Sequence, residues 1–382
     1  MRRKIIVISD LHIGGENAPS NLDYIVSFLK NLNPKEHTNL IIAGDMFDRW
    51  AHPIDNTPPS FEVMKNANSS FWNALNNCSM HENISVFYMN GNHDQEMTQV
   101  DLTGNGEITH IDPDTYWATF GRNVYVDHGH CIDLFNAPGH SDNDEIQYPL
   151  GYFKTRLNHS IKHIPMHRDY HLDNAKAQVI EKLWLSQNIE KVSKTELDEL
   201  LSSISEILLQ GLKKDILYAF GLHDEFLLRG IYCNMPENYY NLFDKVSYEY
   251  VLENYRGFVD RFYYHQLLPS LFSESYDPLI VPWKAFSKSI DVIRTGGLGW
   301  FAEVISSKYN PRVIVFGHTH MNQIKEIDYV KTSEENLNYN FKRTYANSGC
   351  WCSNDFGPNT TSIYYDELDE LLSRNLDIRI RL

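Results

Sequence analysis

Short apolar runs cut off by polar turns mark both ends of the chain. Ile5 to Ile8, Asn39 to Ala43, Ile84 to Met89, Val124 to Val126 and Arg312 to Phe316 are rich in β-branched or aromatic residues, and Asp, Asn, Gly or His follows each. Runs of that length between turn residues predict strands. Between them the period changes: Leu22, Ile25, Val26 and Leu29 share one helical face, predicting a helix over 21–32, and a second helix is expected over 61–77 after the Pro58-Pro59 turn. Strands alternating with helices, each strand ending in a polar loop, indicate an α/β sheet with its site along one edge.

The alternation stops at about residue 140 and returns at about 295. Between these points the pattern is helical. Ser193 and Glu196 have the spacing of a capping box, and Leu197, Leu201, Ile204 and Leu208 follow on a single stripe. We read 140–294 as a helical insertion, a cap, within a core made of 1–139 and 295–382. After it come a helix over 299–308, the 312–316 strand, and closing strands at 323–329, 340–346, 360–365 and 377–381.

The strand exits carry the chemistry. Five loops hold Asp10-Leu11-His12, Gly44-Asp45-Met46-Phe47-Asp48, Gly91-Asn92-His93-Asp94, His128-Gly129-His130 and Gly317-His318-Thr319-His320. A strand ending in Gly-Asp is ordinary turn chemistry when met alone; five such loops in one chain are not. Together they offer Asp10, His12, Asp45, Asn92, His128, His318 and His320. Imidazoles and carboxylates with one amide oxygen suit Mn²⁺, Fe²⁺, Zn²⁺ or Co²⁺ better than Ca²⁺. Seven side chains are too many for one ion. Two ions sharing one carboxylate fit, and Asp45, central in the ligand order, is the natural bridge.

Composition narrows the partners. The 382 residues are 42% hydrophobic, enough for a buried core, and the net charge of −16 argues against broad contact with long duplex nucleic acid or anionic membrane. Met1-Arg2-Arg3-Lys4 runs into an apolar stretch too short for a signal peptide, and no apolar run reaches the roughly 18 residues of a membrane span, so a cytoplasmic protein is expected. Five scattered cysteines do not suggest a disulfide framework. Those of Cys350-Trp351-Cys352 read as buried thiols.

In order and wording the five loops resemble the calcineurin-like metallophosphoesterases, whose pattern is Asp-x-His, Gly-Asp-x-x-Asp, Gly-Asn-His-Asp/Glu, a central His and Gly-His-x-His. The resemblance implies a two-sheet αββα sandwich with the helical stretch as a large insertion, and a dinuclear metal-dependent hydrolase of phosphate esters. It implies that Asp10, His12, Asp45 and His320 hold one divalent ion and that Asp45, Asn92, His128 and His318 hold the other. Mn²⁺ is expected, with Fe, Zn, Co, Ni or Mg as alternatives. Hydroxide from water acidified by the ions would attack phosphorus, His93 would protonate or stabilise the leaving oxygen, Asp94 would orient His93, and Asp48 would align a ligand histidine.

Substrate-facing residues are read less narrowly. Arg49 follows Asp48 as it does in the protein phosphatase branch, where such an arginine helps hold phosphate; a salt bridge is the competing reading. His130 either supports a ligand or faces substrate, and Trp50 either walls the site or packs. The chain is also similar to the UDP-2,3-diacylglucosamine diphosphatase branch in Gly-Asn-His-Asp and Gly-His-Thr-His, which favours a small or lipid-linked phosphodiester or pyrophosphate. A nuclease or nucleotide phosphodiesterase is the alternative, and a phosphoprotein phosphatase or an inactive metal-binding scaffold stands behind it. In the insertion, His159, His163, His167 and His171 recur every fourth residue, and 232–276 is crowded with Tyr and Phe.

Overall fold

The computed structural model describes residues 3–14, 18–54, 56–119, 123–133, 135–138, 148–161, 171–185, 194–219, 251–252, 298–321, 323–332, 338–354, 357–360, 362–367 and 378–381. His163, His167, Ser193 and the Tyr and Phe residues of 232–276 lie outside these residues. The chain divides into two compact units, one of Met1–Arg49, Pro59–His130 and Gly296–Leu382, the other of Trp50–Pro58 and Cys131–Thr295.

The first unit is an α/β sandwich. One sheet takes strands β1 (Arg3–Ile8), β2 (His37–Ala43), β3 (Ile84–Met89) and β4 (Ile108–His110), all parallel. Two strands from the far end of the chain extend it antiparallel beside β1. They are Ser362–Glu367 and Ile378–Arg381. The second sheet pairs β5 (Val124–Val126) parallel with β6 (Val313–Phe316), and β6 parallel with Asn338–Asn347, whose other neighbour is the antiparallel Gln323–Thr332.

Alternation along the strands explains why the runs are apolar on both faces. Ile5, Val7, Ile41, Ala43, Phe87 and Met89 point to the space between the sheets, where Val124, Val126, Val313, Val315 and Ala346 meet them. Ile6, Ile8, Leu40, Ile42, Val86 and Tyr88 point the other way, onto helix α1 (Ala18–Lys30) and helices α2 (Phe61–Ala67) and α3 (Ser69–Ser79). Both faces are buried over most of each strand, so the polar residues of β2 and β3 (His37, Thr38, Asn39 and Ser85) stand near the strand starts. Each fully buried Ile or Val contributes about 1.5–3 kcal/mol, which makes this sheet a rigid floor for the loops at its edge.

The helix expected over 61–77 is two. Asn68, at φ −116° and ψ 41°, ends α2 with its N–H on the Met64 carbonyl and begins α3. Hydrophobic period alone does not mark such a break, since Phe61, Met64, Phe71, Ala74 and Leu75 all bury into the same core. Cys78 and Cys131 are free thiols, whereas Cys350 is disulfide-bonded, against the expectation.

The second unit holds helix α5 (Leu150–Ile161), helix α6 (His171–Leu185) and helix α7 (Lys194–Ala219), with α4 (Pro113–Thr119) preceding them in the first unit. Leu201, Ile204, Leu208 and Leu212 form the buried stripe of α7. Arg156 of α5, itself buried, donates to the carbonyls of His52, Pro53 and Asn56, and Trp50 packs edge-on against Tyr152 at 5.8 Å. Trp50 is thus a packing residue of this unit. No helix among the described residues is long and apolar enough to cross a membrane.

Candidate metal centre

β1, β2, β3, β5 and β6 end on the same side of the first unit, and their C-terminal loops bring the seven expected donors together. The backbone there is unusual. Asp10, His12, Asp45, His318 and His320 all have positive φ, between 46° and 68°, and among the described non-glycine residues only Asn310 shares it. For residues with a Cβ this region costs on the order of 1–2 kcal/mol each, and it persists where surrounding structure holds it. Here the hold is a set of hydrogen bonds between loops: Asp10 N–H to Gly44 O (3.1 Å), His12 N–H to Asp45 O (2.9 Å) and Ile13 N–H to Met46 O (2.9 Å). Gly44 turns the chain at φ 84°, and a Cβ there would lie 2.5 Å from the His128 ring. At Gly91 a Cβ would lie 2.1 Å from Asp45 Oδ1, so these loops close only over glycine.

Two donor sets meet at one oxygen. Asp45 Oδ1 accepts the His93 N–H at 2.8 Å, which leaves Oδ2 facing inward, 3.2 Å from His128 Nε2 and 3.7 Å from His12 Nε2. On one side His12 Nε2 lies 3.1 Å from His320 Nε2, and Asp10 Oδ1 lies 3.3 Å from the latter. On the other, Asn92 Oδ1 is 3.1 Å from both His128 Nε2 and His318 Nδ1. Asp10, Asp45, Asn92 and His128 are almost wholly buried, and His12 nearly so.

The partners behind these atoms set their direction. Asp10 Oδ2 takes the Ser9 hydroxyl and the His318 N–H, so Oδ1 carries no hydrogen bond and is aimed at the cluster. His128 Nδ1 donates to Ala43 O at 2.8 Å, which turns Nε2 toward two oxygen acceptors. Asp48 serves two rings, its Oδ2 3.3 Å from His12 Nδ1 and its Oδ1 2.7 Å from His93 Nδ1. Asp94, expected to orient His93, does something else. Its carboxylate accepts the backbone N–H groups of Asp45, Met46, Phe47 and Gly91, and Asp48 makes the His93 contact instead. Adjacent in sequence, Asp94 points away from the ring; 45 residues earlier, Asp48 reaches it.

Acid–base properties follow from this crowding. Burial alone would raise Asp10, but His128 and His320 hold it down at about 2; burial opposes charge on Asp45 and Asp48 too, and the neighbouring histidines lower both. Burial disfavours charge on His12, yet Asp48, Asp45 and Asp10 raise it to about 9. Asp45 and Asp10 raise His128 to about 10 against the same penalty. Asp94 is pushed up to about 6 by burial and the Asp45 charge. Without a cation, protons occupy the places where nitrogen lone pairs would otherwise face oxygens.

A divalent cation fits what these atoms lack: an unbonded buried carboxylate oxygen, two Nε2 atoms facing one another, and an imidazole nitrogen fixed against two acceptors. The mixed N/O set is that of borderline ions. Loading requires the deprotonated imidazoles, so His12 and His128 must release their protons. We expect apparent Mn²⁺ affinity to rise with pH below about 9, approximately tenfold per unit for each proton expelled. Calorimetry between about pH 6 and pH 8 in buffers of different ionisation enthalpy reads both slope and proton count; a flat profile would refute the assignment. The stability of the metal-free protein should show the opposite trend. A raised histidine stabilises fully below its ordinary 6.5, and the His12 contribution is lost as pH climbs through about 9.

Arg49 and His130 lie beside these loops in sequence and differ in what they do. Arg49 pairs with Glu96, donates to Pro59 O at 3.1 Å and stacks over Phe61. This is the salt-bridge reading, and nothing in the sequence marked Glu96. His130 is buried at the start of a short 3₁₀ turn, its ring 5.3 Å from that of His128.

An α/β sandwich with a buried His, Asp and Asn cluster at its strand exits is the build of a metal-dependent hydrolase. The family model of the calcineurin-like phosphoesterases matches residues 3–204, more than half of the chain, and the chain belongs to that family. The match ends before the Gly317–His320 loop, which the fold returns to the same cluster. No curated protein matches the chain.

Proposed function

We propose that the protein is a dinuclear metal-dependent phosphodiesterase. The observation that carries this reading is the pair of donor sets, Asp10/His12/Asp45/His320 and Asp45/Asn92/His128/His318, sharing the single oxygen Asp45 Oδ2. Two divalent ions, Mn²⁺ first and Fe, Zn, Co, Ni or Mg as alternatives, would supply Lewis acidity that makes hydroxide from water at neutral pH and offsets charge on phosphoryl oxygens. The chain's own residues do the rest. Asp10 and Asp45 bring negative charge without spare protons. His93, held by Asp48, donates a proton to the leaving oxygen, and His128 is fixed by the Ala43 carbonyl so that only Nε2 faces inward.

Arg49 supports a diester over a monoester. Its guanidinium is engaged by Glu96 and Pro59 O, so it does not offer the bidentate grip that a dianionic phosphomonoester rewards. A phosphodiester or a substituted pyrophosphate carries less charge per phosphorus. Within that class we favour a small or lipid-linked substrate, selected by the 140–294 insertion acting as a cap. Hydrolysis of bis(p-nitrophenyl) phosphate, p-nitrophenyl phosphate, nucleotide diesters, oligonucleotides and a UDP-linked lipid should be compared with Mn²⁺ present. We expect kcat/KM on the aryl diester to exceed that on the monoester by at least about tenfold, or 1.4 kcal/mol. A preference for the monoester would overturn the diester assignment, and a preference for oligonucleotides would move the substrate to nucleic acid.

A further inference from the structure

We propose that Asp94 is a positioning residue whose carboxylate sets the separation of Asp45 and Asn92, and through it the second donor set's capacity to hold an ion. The inference rests on the two-ion reading above.

Asp94 is 1% exposed, and both its oxygens are spent on backbone. Oδ1 accepts from Gly91 N–H (2.9 Å) and Asp45 N–H (3.2 Å), one donor on each of two loops; Oδ2 accepts from Met46 (2.6 Å) and Phe47 (3.2 Å). Gly91 precedes Asn92, and Asp45 is the shared ligand itself. One carboxylate therefore ties the loop after β2 at Asp45 itself to the loop after β3 at Gly91, the residue before Asn92. A concave array of N–H groups around an anion is a recurrent backbone device. Here the anion is internal, and what it organises is the array.

The anchor is itself braced. Met97 N–H donates to Asp94 O at 2.9 Å, and the Asn90 amide donates to the carbonyls of Gln95 (2.8 Å) and Met97 (3.0 Å), closing the loop on its other side. Asp45 meanwhile sits at φ 53°, a conformation that three of these hydrogen bonds, from the N–H groups of residues 45 to 47, help to hold. Asp10 and His12 are joined to the Asp45 loop by other bonds, and His320 lies against those two side chains. Asn92 has Asp94 as its near neighbour, so losing the anchor should fall unequally on the two donor sets.

An asparagine cannot replace this group, because one of its two terminal atoms is an NH₂ that would face two N–H donors. A glutamate keeps the charge and both acceptors on a longer arm. The experiment titrates full-length wild type, Asp94→Asn and Asp94→Glu with Mn²⁺ by calorimetry and by electron paramagnetic resonance, which separates exchange-coupled pairs of Mn²⁺ from isolated ions. Wild type should bind two coupled ions. Asp94→Asn should keep one at close to wild-type affinity, bind the other about tenfold to 100-fold more weakly, and show the isolated-ion spectrum; Asp94→Glu should restore part of the coupled signal. Amide exchange in the metal-free variant should quicken at Met46, Phe47 and Gly91.

Each contrary result has its own meaning. A single ion in wild type overturns the two-ion reading. Two coupled ions at unchanged affinity in Asp94→Asn leave that reading standing and overturn the role of Asp94. Equal weakening of both ions alongside a lowered Tm, or failure of both variants to fold, makes Asp94 a residue of general stability and likewise overturns the inference.

Discussion

Asp45→Asn should lose both ions and lower kcat/KM by on the order of 10³-fold or more, about 4 kcal/mol of transition-state stabilisation. The substitution is informative because it spares the fold. Asparagine is among the few residues that accept the left-handed backbone Asp45 adopts at φ 53°, and its volume is the same. It can still accept the His93 N–H through Oδ1. What changes is the inward atom, which becomes an NH₂ directed at His128 Nε2 and His12 Nε2, 3.2 and 3.7 Å from the carboxylate oxygen it replaces. A neutral donor cannot balance two cations or draw them together. Metal analysis after gel filtration, with turnover of bis(p-nitrophenyl) phosphate, reads the outcome. Turnover equal to wild type would refute the bridge.

How far the sequence foretells this geometry depends on distance along the chain. Each loop carries its donors within two to five residues of a strand end, so strand patterns and polar exits were enough to suggest convergence. The parallel β1, β2 and β3, and β5 with β6, then bring those exits to one side. Relations between loops were not legible. Asp48, not the adjacent Asp94, orients His93, because the side chain of Asp94 turns back onto backbone N–H groups that no sequence pattern reports. The pairing of Arg49 with Glu96 is equally invisible, as is the positive φ shared by five donors. One difference is local: Asn68 splits one expected helix because a polar residue between two stretches of the same apolar face leaves the period intact. The short strand β4 does not register because Ile108 is its one apolar residue, whereas the equally short β5 is Val-Tyr-Val and does.

His93→Ala should leave the metal content unchanged and slow the enzyme in a way that depends on the leaving group. General acids contribute roughly 10²–10⁴-fold where the departing oxygen needs a proton. We therefore expect a loss of about 10²-fold or more for an alkyl or nucleoside leaving group, and only a few-fold for p-nitrophenolate, which departs unaided. Asp48→Asn separates position from proton transfer. It should reproduce the leaving-group dependence, since its Oδ1 lies 2.7 Å from His93 Nδ1, and it should also weaken metal binding by about 10–100-fold, since its Oδ2 lies 3.3 Å from His12 Nδ1. In the double variant the rate losses should fail to add, because both act on one proton, while the metal defect persists unchanged from Asp48→Asn alone. Equal losses by His93→Ala on both classes of leaving group would remove His93 from proton donation and leave it only the binding of the phosphoryl group. A metal defect absent from Asp48→Asn would mean that His12 is held in place by its other neighbours, Asp10 and Asp45.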